Sequence, residues 1–371
     1  MAQTTPTTSP HMSTSSERPP VAQTGLFGWL RKNLFSTWFN ALLTVLALGL
    51  LWAALPPLIS WVFTQAVWGA AEPDACKEAS GACWAMVHEK YRLILFGRYP
   101  YEEQWRPLLG ILVLVAMIGV SCNRNFWKPW LADIWIGGLI VWFLLMWGGV
   151  LGLTFVPNNL WGGLPLTLIL TVIGLAVAFP VSILLALGRR SDMPIIRTLS
   201  VVYIELIRGV PLISLLFMAS FMLPLFLPTG VSLDEVLRAQ VAIILFSAAY
   251  LAEAIRGGLQ AIPSGQYEAA HALGLTYWQT QRKIILPQAL KIAIPSIVNI
   301  FIGLFKDTSL VAIVSLTDLL LSMRQAIADP LWRRFFVEGY LFIAVIYFCI
   351  CFFMSKYSQY LETQFETGHQ H

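Results

Sequence analysis

Polar positions are sparse along this chain, and they separate long apolar runs. A helix needs about 20 mostly apolar residues to cross a bilayer. Eight runs are candidates, at roughly 39–63, 107–122, 131–156, 161–188, 200–227, 238–258, 288–316 and 336–355, the second of them short. The pattern predicts an all-α polytopic membrane protein of about eight transmembrane helices. Pro56 and Pro57 predict a kink in the first, because each removes a backbone donor. Between the sixth and seventh runs lies a polar stretch, 262–287, that reads as two short helices.

Composition strengthens the membrane reading. Of 371 residues, 57% are hydrophobic and 12% charged, with 15 Trp and 22 Phe; soluble domains carry about 25% charged residues. A lipid bilayer is the expected surroundings. A net charge of +4 gives no ground for a nucleic-acid partner.

The positions of Lys and Arg predict orientation. Arg31 and Lys32 precede the first run, Arg124 and Lys128 follow the second, and Arg189, Arg190 and Arg197 follow the fourth. Arg256, Arg282, Lys283 and Lys291 flank the polar stretch. All of these share one side if both termini are cytoplasmic. The segment 64–106 then faces the exterior, with acids roughly balancing its bases. Arg324, Arg333 and Arg334 also fall outside, against the rule. Trp127, Trp130, Trp147 and Trp161 lie near span ends, where interfacial belts occur.

The chain reads as composite. Residues 1–37 read as a disordered cytoplasmic tail, with 1–27 rich in Thr, Ser and Pro and no cleavable leader. Residues 38–156 hold three spans with few ionisable groups. Residues 157–360 hold five spans with nearly all the buried charge, and 361–371 form a second tail.

Five Cys and five scattered His give no metal pattern, and no Ser-His-Asp arrangement suggests itself. Cys76 and Cys83 share the outer segment, either as a short-loop disulfide or as two free thiols. Cys122, Cys349 and Cys351 sit in or beside apolar runs as packing residues.

In the polar stretch, Pro263, Ser264 and Gly265 break the sixth span, and Ser264 is a candidate helix cap. The first short helix runs through Glu268, Ala269, Ala270 and Leu273. Gly274 suits the left-handed position after its end. Thr276 and Gln279 have capping-box spacing for a second helix, ending at Pro287. Small residues on one face let another protein approach closely. By periodicity alone, an ordinary interfacial loop fits as well.

Glu268-Ala269-Ala270, Gly274 and Ile285-Leu286-Pro287 resemble the EAA motif, E-A-A-x3-G-x9-I-x-L-P, of ABC importer permeases, with Ile displaced by one position at most. "YIELIRGVP" (Glu205, Arg208, Gly209, Pro211), "YLAEAIRGG" (Glu253, Arg256) and "KDTSL" (Lys306 to Leu310) extend the resemblance over 157–360 to the polar amino acid permeases, a branch of type I ABC importers. The layout of the N-terminal third is similar to the M-type subunit of general L-amino acid transporters. The resemblance implies a five-span type I permease core with three extra N-terminal helices, in a bacterial inner membrane. It implies that 262–287 docks on an ATP-binding-cassette ATPase dimer through Glu268, Ala269, Ala270, Gly274, Leu286 and Pro287. ATP and Mg belong to that partner and no cofactor to this chain, which lacks a G-x4-G-K-[ST] phosphate loop. A second, related permease would complete a heterodimer, and a periplasmic amino-acid-binding protein would deliver the substrate.

Ionisable groups at the bilayer centre cost about 2.5–3.5 kcal/mol on insertion scales, so they pair or line water. Glu205–Arg208 and Glu253–Arg256 are spaced i,i+3 and can neutralise themselves, as gate or scaffold pairs or as charges met by the substrate. Lys306 and Asp307, adjacent on a helix, need not pair with each other. A zwitterionic substrate needs acceptors and donors; Glu253, Asp307, Thr308 and Ser309 are local suppliers. Thr167 and Asn299 are further candidates for the path, or else helix–helix hydrogen bonds. Two rival functions remain at this point: an ion- or proton-coupled secondary amino acid carrier, and a membrane scaffold that transports nothing.

Overall fold

The computed structural model describes residues 25–69, 72–228 and 230–366. Among them there is no sheet, only isolated bridges between Val67 and Cys83 and between Gly163 and Asp318. Seven helices are long and apolar enough to cross a membrane, eight if one bent pair counts as a span. The described residues divide into two compact units, one up to residue 66 with 79–82, the other 67–78 and from 83 onward.

The first unit holds α1 (Gly25–Asn33) and α2 (Trp38–Ile59). Residues 25–33, expected within an unstructured tail, are therefore helical; 1–24 lie outside the described residues. The Thr37 side chain caps α2 by accepting from the Asn40 N–H. Pro56 and Pro57 stay inside the helix. A widened π-helical turn, Ser60–Thr64, comes directly after them. The Ser60 N–H reaches back to the carbonyls of both prolines.

The second unit contains the remaining helices. After α3 (Pro73–Glu78) and α4 (Trp84–Phe96), α5 (Trp105–Cys122) and α6 (Trp130–Trp147) form an antiparallel pair. The third span was expected to reach residue 156, but α6 stops at the Gly148-Gly149 step. Residues 148–156 fold back, with the Val156 N–H bonded to the Trp147 carbonyl. Glycine tolerates the positive φ that this reversal needs (Gly148 +66°).

Helix α7 (Gly163–Arg189) and α10 (Glu235–Gln260) are the central packed pair. Alanines 239, 242, 248, 249 and 252 on α10 are buried. Gly174 of α7 faces Ile243, and Gly258 of α10 faces the Ala289 carbonyl of α13 (Leu286–Asp307). In lipid, helices gain little by hiding apolar surface from neighbours, so close approach through small residues supplies the contact. One apolar cluster packs the half of this pair near Leu166 and Ile243, with Trp142 and Trp161. Another packs the half near Ala186 and Ile255, with α8 (Pro194–Gly209) and α13.

The fifth span is not a single rod. Helix α8 and the segment 212–226, which begins with α9 (Leu212–Phe217), meet at 102°. Val210 is extended and Pro211 follows it, as expected where a proline removes a donor and crowds the residue before it. The seventh span finishes as a 3-10 turn at Thr308–Val314. The eighth is α15 (Phe336–Glu366), so residues 361–366 continue the helix rather than begin a tail.

Trp161 departs from the interfacial role expected for it. It is buried, packs edge-on to Trp142, and donates to the Val156 carbonyl. Trp127, Trp130 and Trp147 are exposed.

Residues 72–78 and 83–106 contribute to the core of the second unit. Cys76 and Cys83 form a disulfide. The pair packs in a third cluster with Met86 and Ile94 of α4, Met323 of α14 (Leu319–Ala326), Trp332 and Ile343. The Glu338 carboxylate accepts from the Cys83 N–H at 2.8 Å, and Lys90 pairs with Asp329 at 2.9 Å. Gly163 has a φ of +64°, and its position leaves no room for a Cβ beside the Leu95 carbonyl.

Two buried charges complete this end. Arg106 is fully buried; its Nε donates to the Leu145 carbonyl at 2.6 Å and its Nη1 to the Thr154 carbonyl at 2.9 Å, with Glu103 at 3.5 Å. Asp318, also fully buried, caps α14 by accepting from the Leu320 and Leu321 N–H groups. Burial pushes its carboxyl from the ordinary 3.8 up to about 6, against the lowering effect of those hydrogen bonds.

Replacing Arg106 by Met should cost about 3 kcal/mol by leaving the Leu145 and Thr154 carbonyls without their donor; an unchanged thermal midpoint in detergent would refute this. For Asp318 the native carboxyl holds its proton to higher pH than the unfolded one. Its ionisation therefore destabilises the fold as pH rises from the ordinary carboxylate range through about 6. Asp318→Asn keeps a capping oxygen without the charge. It should raise the midpoint at pH 7.5 and remove this group's share of the stability gained on acidification to pH 5; equal pH profiles for the two proteins would count against it.

Candidate functional site

At the C-terminal end of α7 an arginine pair, Arg189-Arg190, reaches two places at once. Arg189 lies 2.8 Å from Glu205 of α8 and 3.3 Å from Glu253 of α10. Glu253 also binds Arg256, whose Nε is 3.0 Å from both carboxylate oxygens, and lies 3.8 Å from Arg208 of α8. Three helices thus share one ionic network. The expected Glu253–Arg256 pair is present. The expected Glu205–Arg208 pair is not: Glu205 turns to Arg189 and Arg208 to Glu253. An i,i+3 spacing allows a pair within one helix but does not oblige it when a neighbouring helix offers a closer guanidinium.

The network is half-buried, with Glu205 its most exposed member. Three guanidiniums (189, 208, 256) face two carboxylates (205, 253), which leaves one positive charge over. Arg208 is held most loosely: its Nε is buried without a hydrogen bond, and its guanidinium lies over the Tyr250 ring at 5.5 Å.

Arg190, the other member of the pair, donates to the Leu259 carbonyl at 2.7 Å and sits 5.7 Å over the ring of Tyr267. Tyr267 belongs to α11 (Ser264–Ala272), the first helix of the polar stretch. Pro263 rather than Ser264 occupies the cap position, and no side chain caps this helix. Its end is as expected. Gly274 has a φ of +69°, its N–H bonds to the His271 carbonyl, and the Leu275 N–H bonds to that of Ala270. The capping box of α12 (Tyr277–Thr280) is also present, between Thr276 and Gln279. Gln288 of α13 donates to Gln266, closing the stretch onto α11.

The inner face of this helical pair is anchored by Ala270 and Ile285, both fully buried. Glu268, Ala269 and Gly274 are exposed, as is Pro287, while Leu286 is half-buried. Leu273 and Trp278 are 75% and 64% exposed and, with Tyr277, add an apolar surface that the motif does not announce.

The remaining residues expected on a substrate path do not gather in one place. Thr167 is fully buried; its hydroxyl donates to the Gly163 carbonyl and accepts from the Leu319 N–H, tying α7 to α14. Thr308 is buried and donates to Phe305. Asn299 and Lys306 are exposed, and Asp307 and Ser309 are half-buried. Neither Lys306 nor Asp307 enters an ion pair among the described residues. Near the opposite end of α10, a cavity of about 370 Å³ is lined by Asn158, Asn159, Asp234, Glu235 and Arg238, none of them in the expected set.

Sequence reasoning used Arg189 and Arg190 only to orient the chain. Their adjacency at a helix end, opposite two acids on neighbouring helices, was the signal for more. Arg106 gave no comparable signal, since its partners are backbone carbonyls far along the chain.

Residues 178–366 match the family model described as binding-protein-dependent transport system inner membrane component. The chain is 52% identical to the inner membrane amino-acid ABC transporter permease protein YhdY of Escherichia coli, over 92% of this chain and 93% of that protein. It is 40% identical to the glutamate/glutamine/aspartate/asparagine transport system permease protein BztC of Rhodobacter capsulatus, over 95% and 96%. A solved structure of an amino acid ABC transporter with histidines is 34% identical, covering 54% of this chain and 92% of that one, with a TM-score of 0.48. Membrane-crossing helices, the exposed two-helix stretch and full-length identity to such proteins agree: the chain belongs to the inner membrane components of binding-protein-dependent transport systems.

Proposed function

We propose that the chain is the permease subunit of an ATP-driven importer of L-amino acids. The exposed α11–α12 surface carries this reading: its inner side is fixed in the core while Glu268, Ala269, Leu273, Gly274 and Trp278 face outward. Such a surface suits a partner that pushes on the membrane helices. An ATP-binding-cassette ATPase dimer holding ATP and Mg is that partner, since this chain has no phosphate loop. Identity to YhdY and BztC supports amino acids as the substrate class. Nothing in the comparisons supports a self-powered secondary carrier.

In this cycle a binding protein releases its amino acid on the face bearing α4 and the disulfide. Closure of the ATPase moves α11 and α12, and the spans tilt between two states with only one gate open at a time. Both termini and α11–α12 lie on the cytoplasmic side of a bacterial inner membrane. A second, related permease completes a heterodimer around the path. We assign the Arg189–Glu205–Arg208–Glu253–Arg256 network to the inner gate. Its surplus guanidinium offers a transient contact for a substrate carboxylate, and Asp307, Thr308 and Ser309 offer acceptors further along.

The docking surface is tested by Glu268→Lys and Gly274→Asp. Gly274 has open space around it but a left-handed backbone, so Asp strains the turn and adds charge without a clash. Each should reduce co-purification of the ATPase by about tenfold or more, roughly 1.4 kcal/mol, and uptake should fall with it. Full uptake in either variant would remove the basis for an external ATPase, as a self-powered carrier would be indifferent to both.

The outer segment is tested at exposed charges, because deleting 70–100 would remove α4 from the core. Glu89→Lys with Glu102→Lys, both exposed, should weaken binding-protein stimulation of ATP hydrolysis several-fold while basal hydrolysis holds. Stimulation equal to the parent's would dissociate this segment from binding-protein docking.

A further inference from the structure

The two arginines at the end of α7 are neighbours in sequence with different tasks. Arg189 bridges Glu205 and Glu253, so it joins α7 to α8 and α10. Arg190 lies over Tyr267 of α11, within electrostatic reach of Tyr277 of α12, and donates to Leu259 just ahead of the polar stretch. The helix ends at this dipeptide: Arg189 is its last residue and Arg190 its C-cap, with an N–H bonded to the Leu187 and Gly188 carbonyls. Both side chains therefore project from one rigid turn. Gly188, in that turn, packs on Ser200 and Ile196 of α8, where a Cβ would collide. A displacement of α11 that reaches the Arg190 backbone is shared with Arg189, its neighbour in the same turn.

We propose that Arg190 is a positioning residue that transmits movement of the α11–α12 docking surface, through the shared α7 end, to the ionic network on Arg189. The inference rests on the importer reading above and adds the route by which an ATPase would open the gate. Tyr267 is the receiving surface. Its ring is partly buried against the cluster of α7, α10 and α13, so it cannot swing away from Arg190 freely. The contact is a cation over a ring, which tolerates sliding while remaining attractive, and so fits a joint better than a directional ion pair would.

The test uses the whole assembly: this chain with its ATPase, second permease and binding protein in proteoliposomes, given ATP and a radiolabelled amino-acid mixture. Uptake and phosphate release are measured together for the parent, Arg190→Ala, Arg190→Lys and Tyr267→Leu. ATP hydrolysis should stay close to the parent's in the two Arg190 variants, because no residue of α11 or α12 is changed, and Tyr267→Leu should co-purify the ATPase as the parent does. Amino acid taken up per ATP should fall at least about fivefold in R190A and Y267L, the lower end of usual coupling between sites. R190K, which keeps the cation and a donor, should recover much of the loss. Two results would overturn the inference: an uptake-to-hydrolysis ratio in R190A and Y267L equal to the parent's, or a parallel fall of both activities, which would make the contact merely structural. A parent chain that recruits no ATPase would overturn the importer reading and this inference with it, whereas a well-coupled parent with unaltered variants would overturn the inference alone.

Discussion

A carboxylate near the end of a membrane helix must find a cation, and Glu253 finds three. That constraint organises one half of the molecule. Arg256 comes from its own helix, Arg208 from α8 and Arg189 from α7, so neutralising one side chain fixes the ends of three helices. Position follows from charge here, since α8 is otherwise a loosely held element. It begins at Pro194, breaks at Val210-Pro211 and turns by 102°. Its other ties are Ser200, Ile204 and Ile207 in the core and the Tyr203 hydroxyl on the Leu245 carbonyl.

The opposite half is held by different means. Buried aromatics, the disulfide and backbone-directed side chains dominate, with Arg106, Asp318 and Glu338 each satisfied mainly by peptide groups. Such contacts are costly to break, because removing one partner leaves a desolvated group without compensation. Helix α4 is built into this half, its Met86 and Ile94 sharing a cluster with α14 and α15. The family model begins only at residue 178, yet the similarity to YhdY covers 92% of the chain, so it extends over most of the sequence before that point.

Much of the architecture was legible because lipid imposes a length rule that sequence obeys directly. The fourth, sixth and eighth runs start within a few residues of helices α7, α10 and α15. Gly274 and the Thr276–Gln279 box were readable for a similar reason, since local backbone geometry demands those residue types. What failed was what depends on partners distant in sequence. The hydropathy of 200–227 is continuous, so the break at Pro211 hid inside an apolar run although the proline was visible. Glu205 and Arg208 share a helix face, but which cation Glu205 meets depends on where α7 ends. Trp161 is the same residue type as the exposed tryptophans but is buried, with the Trp142 ring edge-on and the Trp147 ring tilted against it.

Magnitudes separate the two halves further. A fully buried ion pair costs about 3–5 kcal/mol to break from one side, whereas exposed pairs contribute about 0–1 kcal/mol each. Members of the Glu253 network keep between 22% and 55% of their side-chain surface, which puts each contact nearer the second figure. Opening all of its links then requires only a few kcal/mol, and water entering the gap would offset part of that. Arg106 and Asp318 are fully buried and bonded mainly to peptide groups, which are costly to strand. A molecule that must change state without unfolding needs this asymmetry, with weak and rehydratable links where helices part and dry ones where they do not. The α7–α10 pair joins the two regimes. Its small-residue packing fixes spacing along the whole length, so that loosening at the Glu253 end need not disturb the Arg106 end.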